Sequence, residues 1–200
     1  MASCCSTGPA CDRLLKAPVI LGLLLCLVSG GCARPKMLPV YGNVPDFRLI
    51  SQTGAPFERA SLNGKIWVAN FIFTHCTTSC PRMSSQMARV QSSTAEFPDV
   101  RLVSFSVDPQ RDTPEALSVY AQRYQAQPGR WFFLTGDQKT LDALDRRSFM
   151  LGNVDGSLEH STRFVLVDRR GRIRAYYSAA QDDPSRGLIV DIRWLERERS

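Results

Sequence analysis

Beyond residue 32 the chain has just two cysteines, Cys76 and Cys80, and in its 200 residues just two histidines, His75 and His160. That scarcity excludes a framework of several disulfides and leaves few soft donors for any metal. No internal repeat or low-complexity segment is present, so a solenoid or tandem array is excluded. The formal net charge of +6 is modest and scattered. Its densest knots are Arg169, Arg170, Arg172 and Arg174 and the C-terminal "RWLERERS", and neither forms a basic stripe interleaved with aromatics, so no nucleic-acid partner is expected. Solvated surface is the simpler reading of those charges.

What is present begins with an ordinary composition, 44% apolar and 22% charged residues, which suits one soluble domain. The N-terminus stands apart. Arg13 and Lys16 precede "APVILGLLLCLVSGGC", an apolar run of signal-peptide length that is too short for a comfortable membrane span. Its end, Gly30-Gly31-Cys32, resembles a bacterial lipobox, with Ser29 where such boxes usually carry Leu. The expectation is an export segment or anchor over 1–32, lipidated at Cys32, and a proline-rich tether over 33–43. A domain over 44–200 would then be held on the exported, periplasmic face of the bacterial inner membrane. Cys4, Cys5, Cys11 and Cys26 fall in the export segment. In an oxidising compartment the remaining pair reads as a disulfide or a metal site.

Five apolar runs predict strands: 64–73 ("GKIWVANFIF"), 100–107, 130–136, 162–168 and 173–178, the last following a turn at Arg170-Gly171. Helical spacing joins Met83, Met87 and Val90. It recurs in Leu117, Tyr120, Ala121 and Tyr124 behind the start signal Thr113-Pro114, in Leu141, Leu144 and Phe149, and in Leu188, Ile192 and Leu195. Alternating strands and helices argue an α/β sheet with covered faces and a hairpin among its later strands.

Cys76 and Cys80 bracket the loop between the first of these strands and a helix expected to start at Pro81. Unpaired N–H groups there favour a thiolate. Such a pair can close a disulfide or offer two thiolates to a soft metal, and Cu(I) suits two or three soft donors better than Zn²⁺ does. His75 reads as a rim histidine pointing away from the pair. His160, just before a buried strand, is placed where functional groups collect in folds of this class. Met83 and Met87 read as core.

"VPDFRL", "NGKIWVANFIFTHCTTSCPRM", "SVDPQRDTPEAL", "WFFLTG" and "HSTRFVLVDRRGRIRAYY", in that order, resemble the Sco/SenC family over about residues 44–196. The resemblance implies a thioredoxin-like fold, a central mixed sheet flanked by helices. It also implies copper, Cu(I) or Cu(II), one ion per chain, held by Cys76, Cys80 and His160. The implied role is assembly of cytochrome c oxidase: a copper donor protein loads the site, and the CuA domain of subunit II receives the metal. Asp108 is a candidate supporting carboxylate, or else Asp108 and Asp112 simply end a strand and begin a helix. Thr77 stands where the family commonly has proline. "EHSTRF" lacks the cis-proline of ordinary thioredoxins, which tells against a general disulfide exchanger. A second expectation is a thiol-disulfide reductase in which Cys76 and Cys80 keep the recipient's cysteines reduced. A peroxidase that uses Arg163 fits the close pair and the histidine less well.

Overall fold

The computed structural model describes residues 37–149, 162–180 and 184–198. The expected export segment, Cys32 and His160 lie outside them. Two compact units divide the chain, Met1–Met37 and Leu38–Ser200, and every element below belongs to the second. Among the described residues no helix is long and apolar enough to cross a membrane.

The longest apolar run forms β4 (Ile66–Ile72), in which every residue is buried. A strand covered on both faces needs no polar alternation, which is why this run reads as continuous. On its two sides lie β5 (Val100–Ser106), parallel to it, and β7 (Arg163–Val167), antiparallel. Beyond β5 come β6 (Trp131–Thr135), β2 (Arg48–Ser51) and β3 (Pro56–Glu58). Beyond β7 come β8 (Arg172–Ser178) and β1 (Gly42–Asn43). The mixed sheet thus runs β1-β8-β7-β4-β5-β6-β2-β3.

Alternate residues of the central strands feed two cores. Ile66, Val68 and Ile72 pack under three helices, α1 (Ser79–Ser93), α2 (Pro114–Arg123) and α4 (Pro184–Arg197). These helices contribute Met83, Met87, Val90, Leu117, Leu188 and Ile192, the residues whose spacing predicted them. Trp67, Ala69 and Phe71 face the other way, toward Leu141 and Leu144 of α3 (Gln138–Asp142) and its π-helical continuation, Ala143–Ser148. Phe149 closes this side, its ring set against Trp67, Phe71 and Phe105 with centroids 6.0, 5.6 and 5.7 Å away. Thr113 caps α2, accepting from the Ala116 N–H, and Pro114 takes the first helical position as expected.

Two boundaries differ from the sequence reading. Gly42 and Asn43, within the stretch assigned to the tether, pair with β8, and Leu38 is already buried. The cause is Arg174, the extra residue where the β7–β8 register shifts. Its guanidinium is 2% exposed, pairs with Asp168 and Glu198, and donates to the carbonyls of Leu38 and Pro39. One buried cation, satisfied from four sides, thereby ties the incoming chain to the sheet. This happens at the end of β7 that lies beside the start of β4, so the chain enters at the opposite end of the sheet from the cysteine loop. The other boundary is the start of α1, at Ser79 rather than Pro81. A proline anywhere in the first helical turn loses no hydrogen bond, because those N–H groups have no partner within the helix.

Candidate copper and thiol site

β4 ends at Ile72, and the chain turns through Phe73–Thr78 before α1 begins, so Cys76 hangs at the helix N-terminus and Cys80 sits in its first turn. Thr78 in the cap position makes no side-chain cap bond. The cap is supplied by sulfur: Cys76 Sγ accepts the Cys80 N–H at 3.4 Å, with Thr78 Oγ1 at 3.6 Å and Ser79 Oγ at 3.8 Å. The two cysteines are not joined in a disulfide.

The two sulfurs are electrostatically unlike. Burial pushes the Cys76 thiol up, but the N–H groups of Cys80 and Thr78, with the Cys80 thiol and Thr78 hydroxyl, outweigh it and bring it from 9.0 down to about 6. Cys80 is fully buried, and burial is the largest cause that pushes it up to about 12. The neighbouring Cys76 sulfur adds to that rise, and the backbone of Phe73 opposes it. At neutral pH the pair is a thiolate with a narrow exposed edge over a thiol wholly in the core. Alkylation of the reduced chain with iodoacetamide should therefore accelerate as pH rises through about 6 and modify Cys76 first. Mass spectrometry that finds Cys80 modified first, or a midpoint near 9, would contradict this.

The loop is held by a carboxylate distant in sequence. Asp112, wholly buried, accepts from the Thr74 N–H at 3.1 Å, the Thr74 hydroxyl at 2.6 Å and the Ser106 hydroxyl at 2.6 Å. Ser106 also accepts the Asp108 N–H. Asp108 itself turns its carboxylate to Arg111 at 3.4 Å. Of the two aspartates in "SVDPQRD" it is thus Asp112 that touches the cysteine loop, and the sequence offered only its nearness to a helix start. His75 is exposed, as expected of a rim residue, but its ring is not idle: Nδ1 lies 3.1 Å from Thr74 Oγ1. Arg163 is exposed at the start of β7. Among the described residues no group of three or more His, Cys, Asp or Glu side chains forms a metal cluster.

The family model described as SCO1/SenC matches residues 39–195, nearly all of the second unit. The chain belongs to the SCO1/SenC family. This Sco/SenC chain is 33% identical over 180 residues to the SCO1 protein homolog of Bacillus subtilis (strain 168), covering 87% of this chain and 92% of that protein. Among solved structures it resembles BsSco, a member of the Sco family of cytochrome c oxidase assembly proteins in which a disulfide switch was identified. The TM-score there is 0.72 and the identity 32%, over 82% of this chain and 99% of the other. The thioredoxin-like architecture expected from sequence is thereby met. Arabidopsis thaliana ScoI with copper bound matches with a TM-score of 0.64 and 26% identity, over 76% of this chain and 99% of that one.

Proposed function

We propose that this Sco/SenC protein is a membrane-tethered metallochaperone that binds one copper ion through Cys76, Cys80 and His160 and delivers it to the CuA centre of cytochrome c oxidase subunit II. One observation carries the reading: a nearly buried thiolate and a fully buried thiol share the loop at the end of β4, in a soft donor pair suited to Cu(I). The described ends that flank residues 150–161 support it. Continuing the β4–β7 register sets Arg163 level with Phe71, so β7 begins at the cysteine end of β4, and His160 precedes it by three residues. Phe149, on the other flank of residues 150–161, is pinned against Phe71 as well. Relatives add the function: BsSco belongs to a family of oxidase assembly proteins, and Arabidopsis ScoI binds copper.

The tether fits the same reading. An anchor at Cys32 would confine the protein to the periplasmic face and raise its effective concentration near a membrane-bound client. Delivery is tested by mixing the Cu(I)-loaded chain with the reduced, metal-free CuA domain of subunit II and following the CuA absorption. Appearance of the centre with loss of copper from the chain is the expected result; copper retained on the chain contradicts delivery.

The unequal thiols also favour a second reading, reduction of the recipient's cysteine disulfide. The Cys76 thiolate attacks one sulfur, the S–S bond breaks and a recipient thiolate leaves. Cys80 then gives up its proton and attacks Cys76, forming the internal disulfide and releasing the second recipient thiolate. Two electrons pass from the pair to the recipient; burial is the main reason Cys80 holds its proton, and the mixed disulfide has already removed the Cys76 charge that adds to it.

A further inference from the structure

His75, a rim residue by its sequence position, ends a hydrogen-bonded chain that begins in the core. Asp112 is 0% exposed and takes the Thr74 hydroxyl proton at 2.6 Å. A threonine hydroxyl has a single proton. With that proton given to Asp112, Thr74 Oγ1 can only accept from His75 Nδ1 at 3.1 Å. The neutral His75 ring is therefore fixed with its proton on Nδ1 and its lone pair on Nε2. That arrangement, one ring N–H committed to an oxygen held in turn by a carboxylate, is how proteins prepare a histidine to ligate a metal. The loop is also held from behind, since Asp112 takes the Thr74 N–H and the Ser106 hydroxyl as well.

We propose that His75 Nε2 is a transit ligand for Cu(I), beside the storage site, through which the ion enters and leaves. The proposal rests on the copper-binding reading above. Three features support it. His75 adjoins Cys76 in the chain, so their Cα atoms are about 3.8 Å apart. It is exposed whereas Cys76 is 9% and Cys80 0% exposed, so the imidazole is open to an incoming donor while the sulfurs are largely covered. With Nδ1–H committed to Thr74, the neutral ring offers its Nε2 lone pair, so a Cu–N bond can form there as a bond to the departing ligand breaks, with copper remaining Cu(I). The ion can then pass between partner and thiolates without being left with a single ligand.

A purely structural role for the relay would end at Thr74, where Asp112 is already satisfied. The test uses the full chain in detergent micelles, loaded with one Cu(I), and measures the rate at which a chromophoric Cu(I) chelator removes the ion, alongside the equilibrium affinity. His75→Ala should slow removal at least about tenfold, the scale on which ligand-supporting groups act, with a much smaller change in affinity. His75→Met, which restores a soft donor, should recover most of the rate. In the copper-free chain, ¹⁵N NMR should show His75 protonated on Nδ1. A wild-type removal rate in His75→Ala, or a proton on Nε2, overturns the proposal while leaving the copper site intact. A wild-type chain that holds no Cu(I) overturns the copper-binding reading itself, and the transit role with it.

Discussion

Cys76→Ser and Cys80→Ser should each abolish tight Cu(I) binding, lowering affinity by more than about a hundredfold, beyond the loss of a merely supporting group, yet they should part company in thiol chemistry. The difference follows from where the sulfurs sit. Cys76 caps α1 and is brought down to about 6, so it is the nucleophile, and without it attack on an external disulfide should nearly cease at neutral pH. Cys80 is buried and pushed up to about 12, so its loss spares the attack but removes the resolving thiol. The Cys80→Ser chain should therefore accumulate a mixed disulfide with a model disulfide substrate, seen as an adduct by mass spectrometry. Cys76→Ser should not. Equal behaviour of the two variants would mean that the helix N-terminus does not set their order.

Asp112→Ala should cost about 3 kcal/mol or more of stability, although Asp112 lies 32 residues beyond Cys80 in the chain. Its carboxylate takes three donors, the Thr74 N–H, the Thr74 hydroxyl and the Ser106 hydroxyl, in a site closed to water. Each buried donor left without an acceptor costs about 1–3 kcal/mol. Asp108→Ala is the control. Its partner Arg111 is largely exposed and the contact is 3.4 Å long, so the loss of that ion pair should cost no more than about 1 kcal/mol. Urea midpoints at constant slope give both values. Similar costs for the two aspartates would refute the assignment of Asp112 as the anchor of the cysteine loop.

The contrast between these aspartates marks what the sequence can carry. Periodic apolar positions were legible because burial on a helix face or a two-sided strand leaves a local signature. Met83, Met87 and Val90, and the unbroken run of β4, are buried as that signature requires. The place of Cys76 and Cys80 between strand and helix was legible for the same reason, since each flanking element announces itself. Strands β1, β2 and β3 were not, because two to four residues among prolines and glycines are too short to show alternation, and they exist by pairing β1 with β8, β2 with β6 and β3 with β2. Asp112 was missed because its bond to Thr74 spans 38 residues and depends on β4 and β5 lying side by side. The Nδ1 proton of His75 follows from that bond in turn, so no local pattern could reveal it.

The central claim is a copper site completed by His160, and the most direct measurement is Cu(I) binding to the reduced full chain, against a chromophoric chelator, for the wild type and for His160→Ala. The expected result is one tightly held ion per chain, with affinity weakened about tenfold or more in the variant while Cys76 keeps its alkylation rate. An affinity indifferent to His160, or no tight copper in the wild type, would contradict the metallochaperone reading and leave the Cys76–Cys80 pair as a disulfide reductant.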